Sequence, residues 1–322
     1  MRMIPAGNFE IGSSGKFDTA FGPKYFPEEA PARTVHVKAF QIDETEVTNR
    51  EFRKFVESTG YVTFAERIAR LEDFPEEARS NLPSGPFRQG SVIFSPPRDF
   101  SGNLRSEDAY RAWWIWDPEA NWRHPNGKDS SIEGLDDSPV VCVNHEDAVV
   151  YAKWAGKRLP TEIEWEAAAK GGLAGKMYAW GNEMRPDGKI MANTFQGKFP
   201  NFNSCEDGYA GTSPVKQFSP NGYGLYDMSG NVWEICADVF QSRRPDAAAC
   251  EVDENGKPKP SFPATQEGNA LAYVIKGGSY LCHISYCMRY RPAARESMED
   301  GSPTNHIGFR CVIDIEHASP GE

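Results

Sequence analysis

Gly277-Gly278-Ser279-Tyr280-Leu281-Cys282-His283-Ile284-Ser285-Tyr286-Cys287-Met288-Arg289-Tyr290-Arg291 is the most informative stretch of this 322-residue chain. Two cysteines stand five positions apart, behind a glycine pair and among aromatic and basic residues. Arg289 and Arg291 supply the positive charge that lowers the pKa of a nearby thiol. The residues alone leave four readings open. A disulfide here would close a small loop and stabilise little. A zinc site would need a second ligand pair, and His283 alone does not complete a tetrahedral set. A soft metal such as Cu(I) would be content with two thiolates. The pair is otherwise two unrelated buried cysteines acting as small apolar residues.

Outside this stretch lie Cys142, Cys205, Cys236, Cys250 and Cys311, seven cysteines in all. That odd, low number argues against a disulfide scaffold and for a reducing compartment. No Cys-x-x-Cys pair occurs, which weakens thioredoxin-like and zinc-ribbon readings. The formal net charge of -11 argues against nucleic acid as a partner, because phosphate binding rests on Lys and Arg. An acidic surface suits a basic peptide, although solubility alone accounts for it. No run approaches the length of a membrane span, so no membrane association is expected. Met1 to Gly7 lack the apolar region of a signal peptide, and the expected location is the cytoplasm.

Regular patterns are few. Gly (29) and Pro (24) are spread along the chain, which predicts many ordered loops on a modest framework. A first helix is predicted from Thr48, with Glu51 as capping-box partner, Phe52, Phe55 and Val56 on one face, and Gly60 as the stop. A second runs from Asn144 through Ala148, Ala152 and Trp154 to Gly156. A third opens at Thr161, with Glu164 as box partner, and ends at Gly171-Gly172. Strands are predicted over Arg33 to Ile42 with a bulge near Ala39, Val140 to Val143, Tyr273 to Lys276, and Phe309 to Ile315. Residues 68–138 form a long excursion of the kind that is more often functional than idle. Most tryptophans should fill the core, with one or two free to line a peptide groove.

Gly277 to Arg291 resembles the active-site segment of formylglycine-generating enzymes, with both family cysteines present. Further segments agree: Ile4 to Gly12, Glu46 to Phe52, Asn121 to Pro125, Trp154 to Glu162, Asn221 to Asp227, Gly230 to Glu234 and Gly308 to Cys311. The match covers nearly all of the chain. It implies one α+β domain over residues 1–316, of C-type-lectin-like fold with little regular structure, and a tail over 317–322. It implies oxidation of the cysteine in a Cys-x-Pro-x-Arg motif of an unfolded sulfatase to formylglycine, with O2 and a thiol reductant. By resemblance, Cys282 and Cys287 would bind Cu(I), and Ser279, Trp233 and Tyr286 would shape the O2 and thiol site. From the residues alone, Trp233 and Tyr286 read equally well as core.

The resemblance also implies two structural Ca2+ sites. One uses Asn193, Thr194, Asp207 and Tyr209; the other uses Asp227, Gly230, Val232 and Glu234. Thr194, Tyr209, Gly230 and Val232 would act through carbonyls, and hard oxygen ligands suit Ca2+. There are departures. Ala152, Ala169 and Pro292 stand where animal members need cysteines for disulfides, which leaves Cys311 without its family partner and fits a cytosolic bacterial-type member. Ile235 replaces a common tryptophan, and His306 replaces an asparagine. Two alternatives remain. A non-catalytic binding module of the same fold usually lacks the cysteine pair. An iron-dependent sulfoxide synthase needs a histidine-bearing helical domain, and the six histidines here are scattered.

Overall fold

A computed structural model describes residues 1–19, 22–73, 76–80, 82–83, 85–104, 109–241 and 271–315. Cys250, His317 and the expected tail 317–322 lie outside the described residues. Three helices begin where the capping residues place them. α1 (Asn49–Thr59) starts at Thr48, whose hydroxyl accepts from Glu51 N while the Glu51 carboxylate accepts from Thr48 N. It stops at Gly60, which adopts φ 68° and donates to Val56 O. Its inner face buries Phe52, Phe55 and Val56 against Trp122, Tyr151 and Phe309. Each such side chain contributes about 1.5–3 kcal/mol. α2 (His145–Trp154) is capped by Asn144, with Asp147 as the box partner. α3 (Glu162–Ala169) is capped by Thr161 and Glu164 and buries Trp165 and Ala167 to Ala169.

The strands used below are β1 (Arg2–Ile4), β2 (Gly7–Ile11), β3 (Lys16–Thr19), β4 (Gly22–Tyr25), β5 (Arg33–Val37), β6 (Phe40–Ile42), β7 (Ser91–Phe94), β8 (Trp114–Asp117), β9 (Trp233–Val239), β10 (Ala272–Lys276), β11 (Glu296–Glu299), β12 (Ile307–Gly308) and β13 (Val312–Asp314). The central sheet has the order β11-β10-β9-β12, antiparallel except for the β9/β12 pair. α3 packs against β9 and β10. A second antiparallel sheet has the order β1-β6-β13. β2/β5, β3/β4 and β7/β8 are two-stranded ribbons. The result is an α+β fold held largely by loops.

Three strand expectations need correction. Arg33 to Ile42 is not one bulged strand: β5 pairs with β2 and β6 with β1, so the shift of apolar side marks a change of sheet. Val140 to Val143 forms no strand. Val140 N donates to Val47 O and Cys142 N to Thr304 O, on opposite neighbours, and Cys142 turns through φ 59°. Phe309 to Ile315 is also broken. Gly308 ends β12, while Phe309 and Arg310 are fully buried links to β13.

The core contains paired charges. Arg310 is fully buried, and its Nε and Nη2 donate to the Glu234 carboxylate at 2.6 and 2.7 Å. Lys276 meets Glu166 at 3.1 Å, and Arg295 holds Glu162 through two bonds. Such pairs are costly to break singly, because the survivor is a buried, unmatched charge. They tie α3 and the sheet beneath the candidate site.

Candidate active site

The cysteine segment leaves β10 at Lys276 and turns at once. Gly277 and Gly278 adopt φ 91° and 72°. A Cβ on Gly278 would lie 2.8 Å from Tyr290 N, so the segment's start and end approach too closely for any side chain there. Cys282 N then donates to Ser279 O, and Tyr286, Cys287 and Met288 each donate an N–H to His283 O. This winding returns Cys287 to Cys282, and the sulfurs stand 2.7 Å apart. The other end is pinned by Arg291, whose Nε donates to Met288 O at 2.9 Å and whose guanidinium holds the buried Glu29. Arg289 pairs with Glu28 at 2.9 Å and Glu296 at 3.1 Å. Lys24 Nζ donates to Ser285 O. The N-terminal hairpin β3/β4 is thus fastened to the cysteine turn.

The two thiols are not equivalent. Cys282 is buried, and burial pushes its pKa well above the usual thiol range, with Cys287 adding to the rise. Burial opposes ionisation of Cys287 too. There the Cys282 hydrogen bond, the Arg289 charge and the Arg289 backbone N–H prevail, and the pKa falls below its ordinary value. The pair therefore favours a Cys287 thiolate hydrogen-bonded by a Cys282 thiol.

Both sulfurs face a cleft of 1170 Å3 that is also lined by Ser279, Trp233, Tyr286 and His306. The structure thus brings together all five side chains singled out as catalytic. Trp233 opens β9 and donates its N–H to His306 O. Ser279 Oγ lies 3.0 Å from His306 Nδ1. Burial drives the His306 pKa down to about 3, so the ring is neutral and orients the hydroxyl without carrying charge. Tyr286 stacks on Phe199 at 4.5 Å and meets the edge of Trp113 at 5.7 Å. The excursion over 68–138 supplies the far wall through Val92, Tyr110, Arg111 and Trp114, and Trp114 packs on His306 at 4.7 Å.

Two sulfurs at a cleft are a soft donor pair, which suits a monovalent soft cation. At 2.7 Å they stand too close to share one. Metal–sulfur bonds of about 2.3 Å at a tetrahedral angle need roughly 3.8 Å between sulfurs. The chemistry of the donor set fits such a cation, and sharing it would require the sulfur of Cys287, the less buried of the two, to move by about 1 Å.

The residues expected to hold Ca2+ lie in adjoining loops, Gly230 and Asn231 packing against Asn193. Asp207 accepts from Thr194 N at 3.3 Å and from Tyr209 N at 2.9 Å. Asn193 Oδ1 is buried without a hydrogen-bond partner, as a cation ligand would be. Gln196 Nε2 meanwhile donates to Thr194 O and Asp207, where a cation would compete. In the second set Asp227 accepts from Lys216 N, and Glu234 is engaged by Arg310 and Trp165. Gly230 belongs here because a Cβ would sit 2.1 Å from Asn193 O, and Asn231 bonds back to Asn193. Burial raises Asp227 to about 6, and Glu46, next to it, is also raised chiefly by burial. Among the described residues no three His, Cys, Asp or Glu side chains converge as a ready metal set, so either site would lean on amide and carbonyl oxygens.

Trp114 lies in the excursion expected to be functional and is one of the tryptophans that line the cleft, whereas sequence reasoning missed Glu28, Glu29 and Lys24. They reach the site from far along the chain, and no local pattern marks them. His306 stood out only as a departure.

A family model described as the sulfatase-modifying factor enzyme 1-like domain matches residues 1–315. The chain is 44% identical over 315 residues to the formylglycine-generating enzyme of Mycobacterium tuberculosis, covering 97% of this chain and 96% of that one. It is 44% identical to the formylglycine-generating enzyme of Streptomyces coelicolor, covering 98% and 90%. The structure of PvdO from Pseudomonas aeruginosa superposes with a TM-score of 0.56 at 24% identity, covering 97% and 93%, and shares the fold.

Proposed function

The chain belongs to the sulfatase-modifying factor family, that of the formylglycine-generating enzymes, and from that premise we propose that it oxidises the cysteine of a Cys-x-Pro-x-Arg motif in an unfolded sulfatase to formylglycine. The observation that carries this reading is the Cys282/Cys287 pair converging at 2.7 Å on a cleft large enough for several residues of an extended peptide. Overall, the substrate CH2–SH, one O2, two electrons from a thiol reductant and two protons become an aldehyde, hydrogen sulfide and water. Cys282 and Cys287 would hold Cu(I), which when bound supplies the redox partner for O2 beside the substrate sulfur. The Cys282 hydrogen bond and the Arg289 charge, against the cost of burial, favour the Cys287 thiolate, the form that binds a metal. Ser279, oriented by His306, presents a fixed hydroxyl to the reacting atoms. Trp233 and Tyr286 wall the site with aromatic surface and limit the water that reaches it.

Asn193, Thr194, Asp207 and Tyr209 hold one Ca2+ in this reading, and Asp227, Gly230, Val232 and Glu234 another, fixing loops that lack sheet pairing. The odd, low number of cysteines supports a reducing compartment, the cytoplasm in this reading. Among the described residues no helix is long and apolar enough to cross a membrane.

The test incubates purified protein with a Cys-x-Pro-x-Arg peptide, copper, O2 and a thiol, and follows peptide mass. Exchange of sulfur for an aldehyde oxygen, abolished by a copper chelator and absent with serine in place of the cysteine, is expected. An unchanged mass with folded, copper-loaded protein would refute the reading in favour of a binding module.

A further inference from the structure

The cleft touches Glu296, Ser297, Met298 and Glu299, the whole of β11. Successive side chains of a strand point to opposite faces. A cleft that meets all four therefore runs along the strand's edge. β11 is the terminal strand of its sheet, with β10 on one side.

The register decides which backbone groups face the cleft. Asp300 N donates to Leu271 O, so the 271/300 pair is hydrogen-bonded, and 273/298 and 275/296 follow by alternation. Ser297 and Glu299 accordingly turn their backbone groups outward. Two of these four groups are satisfied locally: Ser297 N donates to Glu296 Oε1 at 3.1 Å, and Glu299 O accepts from Ser302 N at 3.0 Å. Ser297 C=O and Glu299 N–H remain, flanking Met298, without a hydrogen-bond partner among the described residues. An acceptor and a donor so spaced match the pairing groups of one added strand. β11 is also joined to the thiol turn, because Glu296 pairs with Arg289.

We propose that the substrate polypeptide docks as an extended strand on the open edge of β11, with Ser297 C=O and Glu299 N–H as its backbone anchors. The inference rests on the reading that the thiol pair acts on a polypeptide. Backbone pairing is indifferent to side chains, so it suits an enzyme that must accept a short motif within varied flanking sequence.

Glu299→Pro removes the outward N–H and leaves the ladder to β10 intact, as proline on an edge strand does. Glu299→Ala keeps the N–H and controls for the side chain. Peptide affinity is read by fluorescence anisotropy, which needs no turnover. The proline variant should bind about fivefold more weakly than the alanine variant, the worth of one hydrogen bond. In an amide-to-ester scan of the peptide against the unmodified enzyme, one ester should weaken binding by a similar factor. The scan decides the matter if the proline variant does not fold. Equal binding by both variants, or an ester scan with no weakened position, overturns the proposal. Failure of the unmodified enzyme to convert the peptide overturns the functional reading instead, and the binding data still report on the edge.

Discussion

Replacing Arg291 with methionine tests how the cysteine turn is held to the N-terminal hairpin. Nη1 and Nη2 of Arg291 donate to Glu29 Oε2 and Oε1 at 2.7 and 2.5 Å, and Nε donates to Met288 O. The guanidinium lies 3.9 Å from the Phe17 ring centre and 4.7 Å from that of Phe26. Arg291 and Glu29 are 1% and 0% exposed, so solvent screens little of this. Methionine fills part of the volume and keeps contact with both rings. It leaves the Glu29 carboxylate with the Ser13 hydroxyl at 2.9 Å and no countercharge. Each lost charge-assisted bond is worth about 1.5–3 kcal/mol, and breaking a buried pair on one side costs about 3–5 kcal/mol net. Urea unfolding with an unchanged m-value should show a loss in that range. The double variant Glu29→Gln with Arg291→Met should recover most of it, because no unmatched charge remains. A loss below about 1 kcal/mol, or a double variant no more stable than the single one, refutes the reasoning.

Two further predictions concern protonation. Limited alkylation near neutral pH should modify Cys287 before Cys282, and Arg289→Met should slow it and move its onset to higher pH, because the guanidinium favours the thiolate; preferential labelling of Cys282 would contradict this. Asp238 is raised to about 7, first by burial and then by the Glu162 charge. Its raised pKa means that folding takes up a proton, so this contribution is full below the ordinary carboxyl pKa and is lost as pH rises through about 7. Stability should fall over that window by at most about 1.4 kcal/mol per pH unit for this group, and Asp238→Asn should flatten the slope in pH-dependent urea titrations.

The helices were legible because their signals are local: Thr48 with Glu51 and Thr161 with Glu164 announce themselves within four residues. The cysteine turn was legible only through the resemblance, since its residues alone left four readings of the pair open. Strand limits were not. β5 and β6 read as one run because nothing within Arg33 to Ile42 states that two different sheets receive its halves. The Glu29–Arg291 pair spans 262 positions, and Trp114 reaches His306 from an excursion without regular pattern. Such partners are set by topology, which the local pattern does not encode.

The central claim is that both sulfurs act on the substrate cysteine, and the most direct measurement is conversion of a Cys-x-Pro-x-Arg peptide by Cys282→Ser and Cys287→Ser proteins shown to be folded and supplied with copper, O2 and thiol. Each variant is predicted to leave the peptide's cysteine intact while the parent protein replaces its sulfur with an aldehyde oxygen. Formation of the aldehyde by either serine variant at the parent rate would contradict it.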